Sequence, residues 1–181
     1  MGRIRIRRVL EEWIAMRFHE ALATLATLAA LLATPASAEL DSTMTALIVT
    51  PAPDGTETYR PATSARPGET VEYRIEHRNG FGHALDGVAV VGPIPDEMEL
   101  VVARASADIP AMLEVRGEFD PDSVGEEWSA LPATKIVVDA ATGLRMVEDA
   151  TEADFTAVRW RLDAPLPASG TVRHVYRAQV K

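Results

Sequence analysis

The stretch from residue 70 to residue 78 alternates without interruption. Val71, Tyr73, Ile75 and His77 fall on one side, and Thr70, Glu72, Arg74, Glu76 and Arg78 on the other. Period two marks a strand with one dry face and one wet face. A chain that commits itself this way needs a second layer to cover the dry face.

Further runs follow the same logic. Residues 44–50 are short, β-branched and end at Pro51, with a weaker extended piece at 57–60. Residues 87–91 are a continuous apolar run that stops at Gly92-Pro93-Ile94-Pro95, where prolines cannot donate to a ladder. Extended pieces are expected at 100–103, 112–116, 135–139 and 158–162. At the end Val172, His174, Tyr176, Ala178 and Val180 alternate with mostly polar partners. Turn chemistry fills 51–55, 61–68, 79–82 and 165–170, where Pro presets φ and Gly accepts positive φ. Residues 119–132 read as an irregular loop and 151–154 as a single helical turn. No segment after residue 38 keeps a helical period for long, so a parallel α/β sheet is not expected. The pattern predicts an all-β antiparallel β-sandwich of roughly seven to nine short strands.

Ahead of this domain the chain changes character. Arg3, Arg5, Arg7 and Arg8 make a basic start, and 21–33 is an apolar run of 13 residues. A membrane span needs roughly 20. Ala36-Ser37-Ala38 is an A-x-A exit, so residues 1–38 read as a helical, cleavable signal segment that contacts the export machinery. Glu11 and Glu12 suit such a segment poorly, which favours Met16 as the true start. Residues 39–181 are then one exported domain, periplasmic or secreted, with no stable membrane span after cleavage.

The leader holds five of the 18 basic and three of the 27 acidic residues, which leaves 13 basic and 24 acidic, a net −11. That balance argues against nucleic acid and anionic membranes as partners. The chain has no cysteine. Disulfides, thiol catalysis, thiolate zinc sites and lipid attachment at the cleavage site are excluded. The core alone must hold the domain together.

Catalytic signals are missing: there is no G-x-S-x-G, no S-x-x-K and no Gly-rich phosphate loop. Adjacent acids such as Glu126-Glu127 do not make a glycosidase pair, which needs a set separation across a cleft. His77 and His174, with Asp86 as a third ligand, are one arrangement for zinc or copper; isolated, hydrogen-bonded or edge histidines are the simpler reading. Asp120 and Asp122 resemble the start of a calcium loop, but Val124 and Leu131 stand where further ligands belong. Neither metal nor cofactor is expected. Phe81, Phe119 and Trp128 lie in expected loops and are the candidate partner contacts.

The residues Pro67-Gly68-Glu69-Thr70-Val71-Glu72-Tyr73-Arg74-Ile75, followed by Asn79, then Pro93-Ile94-Pro95, resemble the bacterial "conserved repeat" domain, a domain of unknown function. Trp160-x-Leu162, the turn with Gly170 and Tyr176 are similar to that family's closing hairpin. Where many members carry Asp before the Pro-x-Pro, this chain has Gly92. The resemblance implies an immunoglobulin-like sandwich in a secreted or surface protein, here in a single copy. In that reading Pro67, Gly68, Val71, Tyr73, Ile75, Pro93, Pro95, Trp160 and Tyr176 are structural.

Three functions are open at this point. The first is a non-enzymatic structural or interaction module that binds an unknown envelope or surface protein, for instance by strand addition. The second is a carbohydrate- or cell-wall-binding module that uses Trp128. The third is a metal-binding periplasmic protein.

Overall fold

The computed structural model describes residues 40–181. The expected signal segment, with its exit residues Ala36 and Ala38, lies outside the described residues. The described chain is all-β. Its strands are β1 (Leu40–Pro51), β2 (Glu57–Pro61), β3 (Thr70–Asn79), β4 (Ala89–Pro93), β5 (Met98–Leu100) and β6 (Ser106–Ala107). They continue with β7 (Ala111–Gly117), β8 (Glu127–Ala130), β9 (Thr134–Val138), β10 (Arg145–Asp149), β11 (Ala157–Leu162) and β12 (Thr171–Val180). One sheet runs β2-β1-β3-β12-β5, with β6 also on β12; a second runs β4-β11-β7-β8; and β9 and β10 form a separate hairpin. Every pairing is antiparallel.

The alternation at 70–78 does what its period demands. Val71, Tyr73, Ile75, His77 and Asn79 are buried, and Arg74 and Arg78 are exposed; Glu72, expected on the wet face, is instead buried beneath Arg177. Their cross-strand neighbours continue each row. Ser42, His77 and Val172 lie abreast, then Met44, Ile75 and His174, then Ala46, Tyr73 and Tyr176. The second sheet covers this face with Val90, Val115, Val158 and Trp160. Trp160 reaches across to His174 at 5.1 Å and to Tyr176 at 6.1 Å between ring centroids. Tyr73 and Tyr176 stack at 4.8 Å. Burying rings of this size supplies most of the apolar contact in a core. Each hydroxyl finds a partner: Tyr176 donates to the Pro93 carbonyl at 2.7 Å, and Tyr73 to the Met98 sulfur at 3.4 Å.

Gly92 owes its place to this layer. A Cβ there would stand 2.5 Å from the Tyr176 ring, so an Asp would collide with the core. Pro67 and Gly68 are the central residues of a turn closed by Glu69 N–H to the Arg66 carbonyl at 3.0 Å. Gly68 has φ +82°, as the third residue of a type II turn requires.

Three expectations are corrected, and one strand is added. Residues 100–103 do not continue as a strand: β5 ends at Leu100 and a 3-10 turn covers Val102–Arg104. Residues 119–132 are not wholly a loop, because Glu127–Ala130 adds an edge strand to β7. Residues 145–149 form a strand that the sequence reading passed over. The ending is not a closing hairpin, since β11 pairs with β4 and β7 while β12 pairs with β3, β5 and β6. The connection through Gly170 therefore crosses from one sheet to the other. The single turn at 151–154 is present, with the Asp154 carboxylate accepting from Thr151 N–H at 2.7 Å.

Candidate functional site

The β9–β10 hairpin stands apart from both sheets. Its turn is fixed by Asp139, whose Oδ1 accepts from Ala141 N–H, Thr142 N–H and the Thr142 hydroxyl. Those bonds, the hydroxyl first, hold the Asp139 carboxyl below its usual range. Gly143, at φ +71°, completes the reversal. The hairpin is moored at its base: Ile136 N–H donates to the Phe119 carbonyl at 2.7 Å and Lys135 Nζ meets Asp154 at 2.6 Å. Arg145 is held by Asp120 and Asp122. All five residues of β10 are exposed. Val147 is 71% exposed and Leu144 64%, and Val138 and Met146 are also open to solvent. Among the described residues β10 pairs with β9 alone, so its other edge presents unpaired backbone groups. Apolar side chains beside an open edge are what strand addition needs.

Trp128 belongs to β8, not to a loop. Its indole is half-buried on the outer face of the four-stranded sheet, with the Arg159 guanidinium 4.2 Å and that of Arg116 5.6 Å from the ring centroid. Arg159 is fixed in turn by Glu114 at 2.6 Å, and Arg116 by Glu126 at 2.8 Å. The cations lie against the π-face, so a sugar stacking on that face would first displace Arg159. Of the other contact candidates, Phe119 is buried at 6% exposure and meets Phe155 edge-on at 6.3 Å. It is a core residue and not a partner contact. Phe81 is half-buried beside His83 at 5.6 Å.

His77 and His174 are core residues. His77 and His174 lie 6.3 Å apart, ring to ring, at the polar end of the core. His174 is wholly buried, and among the described residues neither ring nitrogen has a hydrogen-bond partner. Burial disfavours the charged ring and pushes its pKa down to about 4, with Asp108 opposing weakly. Among the described residues no three His, Asp or Glu side chains gather to hold a metal ion. Asp120 and Asp122 do converge, but on the Arg145 guanidinium, which takes up the oxygens a calcium loop would offer. A shallow depression lined by Asp41, Ser42, Thr43, Glu76 and Arg78 brings no nucleophile to a base; Glu76 is occupied by Arg173 at 2.6 Å.

Set against known proteins, the chain matches no family model, no curated protein and no solved structure. The resemblance to the conserved repeat domain thus rests on its motif residues alone.

Two arrangements escaped the sequence reading. Asn79 is fully buried, and its amide donates to the carbonyls of His83, Leu166 and Pro167 while its Oδ1 accepts from Phe81 N–H. It pins two loops to the end of β3. The Asn-Gly signal gave the turn but not this clamp. On the outer face of the first sheet Arg177 reaches both oxygens of Glu57, at 2.8 and 2.6 Å, and also Glu72 at 2.8 Å. The Arg177 bond, followed by Tyr59, lowers the Glu57 pKa to about 2. These partners are far apart in sequence, so no local pattern announces them.

Proposed function

We propose that this protein is an exported, non-enzymatic interaction module of the bacterial envelope or exterior, built on an immunoglobulin-like sandwich. One observation carries the reading: a moored hairpin offers an open strand edge and four exposed apolar side chains, Val138, Leu144, Met146 and Val147. The basic-apolar-A-x-A leader supports export. The motif from Pro67 to Ile75 and the two facing antiparallel sheets support kinship with the conserved repeat domain. The crossing of β11 and β12 to opposite sheets is a departure from it. A strand edge recognises a partner through backbone bonds, and the flanking side chains select it.

The test is photo-crosslinking in the cell. A photoreactive residue at position 147, compared with one at position 58 on β2, should capture a protein from position 147 and nothing comparable from position 58. Equal capture at both positions, or none at either, contradicts the reading.

A further inference from the structure

Asparagine occurs once in the chain, at position 79, and glycine follows it. That dipeptide carries a reaction of its own. The Gly80 backbone nitrogen can attack Asn79 Cγ, because glycine has no side chain to crowd the approach. A new N–Cγ bond forms, the Cγ–Nδ2 bond breaks, and ammonia leaves behind a five-membered succinimide. Water then opens the ring at either carbonyl, which gives aspartate or isoaspartate at position 79. Water is the only co-reactant.

The fold holds the atoms of this reaction apart. Asn79 is fully buried as the last residue of β3, while Gly80 is exposed. The leaving nitrogen, Nδ2, donates to the carbonyls of His83, Leu166 and Pro167 at 2.8, 3.1 and 2.9 Å. Oδ1 accepts from Phe81 N–H at 2.8 Å. The Asn79 main-chain N–H is tied to the Gly170 carbonyl at 2.8 Å. Turning Cγ onto the Gly80 nitrogen breaks the side-chain bonds, so the attack waits until the loops at 80–85 and 164–169 open. The product cannot close them again. An amide brings donor hydrogens and a carboxylate brings none. An aspartate here would set charged oxygens against three carbonyl oxygens. Isoaspartate would also add a carbon to the main chain at the end of β3.

We propose that Asn79-Gly80 is a self-modification site gated by these two loops. A molecule whose loops have opened deamidates, loses the clamp and stays loosened.

The single asparagine makes the test clean. The full chain is aged in mildly alkaline buffer, folded and in urea, and peptide mass mapping follows the exchange of NH2 for OH at position 79. Asp54-Gly55 and Asp86-Gly87 can form the same ring, but they lose and regain water and end at unchanged mass. The folded chain should react at least about tenfold more slowly than the unfolded one. In urea, Gly80→Ala should slow the reaction, because its Cβ crowds the attacking nitrogen. Asn79→Asp stands for the product, and protease should cut its two loops at least about tenfold faster than those of the parent. Equal rates in the folded and unfolded chains overturn the proposal. So does an undiminished rate in Gly80→Ala, or an Asn79→Asp chain as resistant as the parent. If Asn79→Asp does not fold, partly aged parent protein supplies the comparison. Its modified molecules should be cut first in the two loops, and equal cutting of modified and unmodified molecules overturns the proposal.

Discussion

Strands β3 and β10 use similar apolar residues to opposite ends. In β3 Val71, Tyr73 and Ile75 are sealed beneath Trp160 and its neighbours. In β10 Met146 and Val147 lie open to water, and a polypeptide partner would complete their burial. The contrast separates what holds the domain together from what remains for contact. Stability resides where two sheets exclude water between them. In the proposed function recognition belongs to the hairpin, which is anchored by a few polar bonds and adds little to the core.

That division can be broken most sharply at Trp160. Trp160→Ala should lower unfolding free energy by about 3–5 kcal/mol, read by urea titration; an unchanged midpoint would deny the core assignment. Acid offers the next handle. The His174 pKa is depressed in the fold, from 6.5 to about 4. Its contribution is therefore complete above pH 6.5 and lost as pH falls toward 4. Urea stability should decline across that window, and His174→Phe should flatten the decline. A steeper decline in the variant would show that another group is responsible. Removal of the Asn79 side chain takes a partner from the His83 carbonyl and the Phe81 N–H, while the Leu166 and Pro167 carbonyls keep their bonds from Leu85 and Gly170, so Asn79→Ala should cost about 2 kcal/mol, with the loss seen as faster proteolysis in the loops at 80–85 and 164–169. The smallest effect belongs to the hairpin. Val147→Ser should change stability by under about 0.5 kcal/mol while abolishing capture by a photoreactive residue placed at position 145 of the same edge. A large loss of stability would mean that the hairpin is part of the core.

The same contrast explains what the sequence disclosed. The strands β3 and β12 were legible because each has one dry face, and alternation is the imprint of that asymmetry. The Pro67-Gly68 turn was legible because Gly68 needs a positive φ. Arg145–Asp149 is exposed on both faces, so nothing imposes a period and the strand went unread. Phe119 looked like a loop residue because its segment is polar; a tertiary contact with Phe155 draws it inward. Trp128 was singled out as a surface aromatic, yet its strand and its two arginines come from pairing with β7, which is a long-range fact. The Arg177–Glu57–Glu72 group joins residues more than 100 positions apart. The candidate site became visible only when the fold showed that the exposed strand β10 pairs, among the described residues, with β9 alone.

Hydrogen exchange, resolved by residue in dilute protein, tests the division most directly. The account predicts that amides of β3 and β12 exchange only through global unfolding, while those of Arg145, Val147 and Asp149 exchange at near-intrinsic rates. Slow exchange at those three amides at low concentration would mean that the edge is already covered within the chain, and would contradict the account.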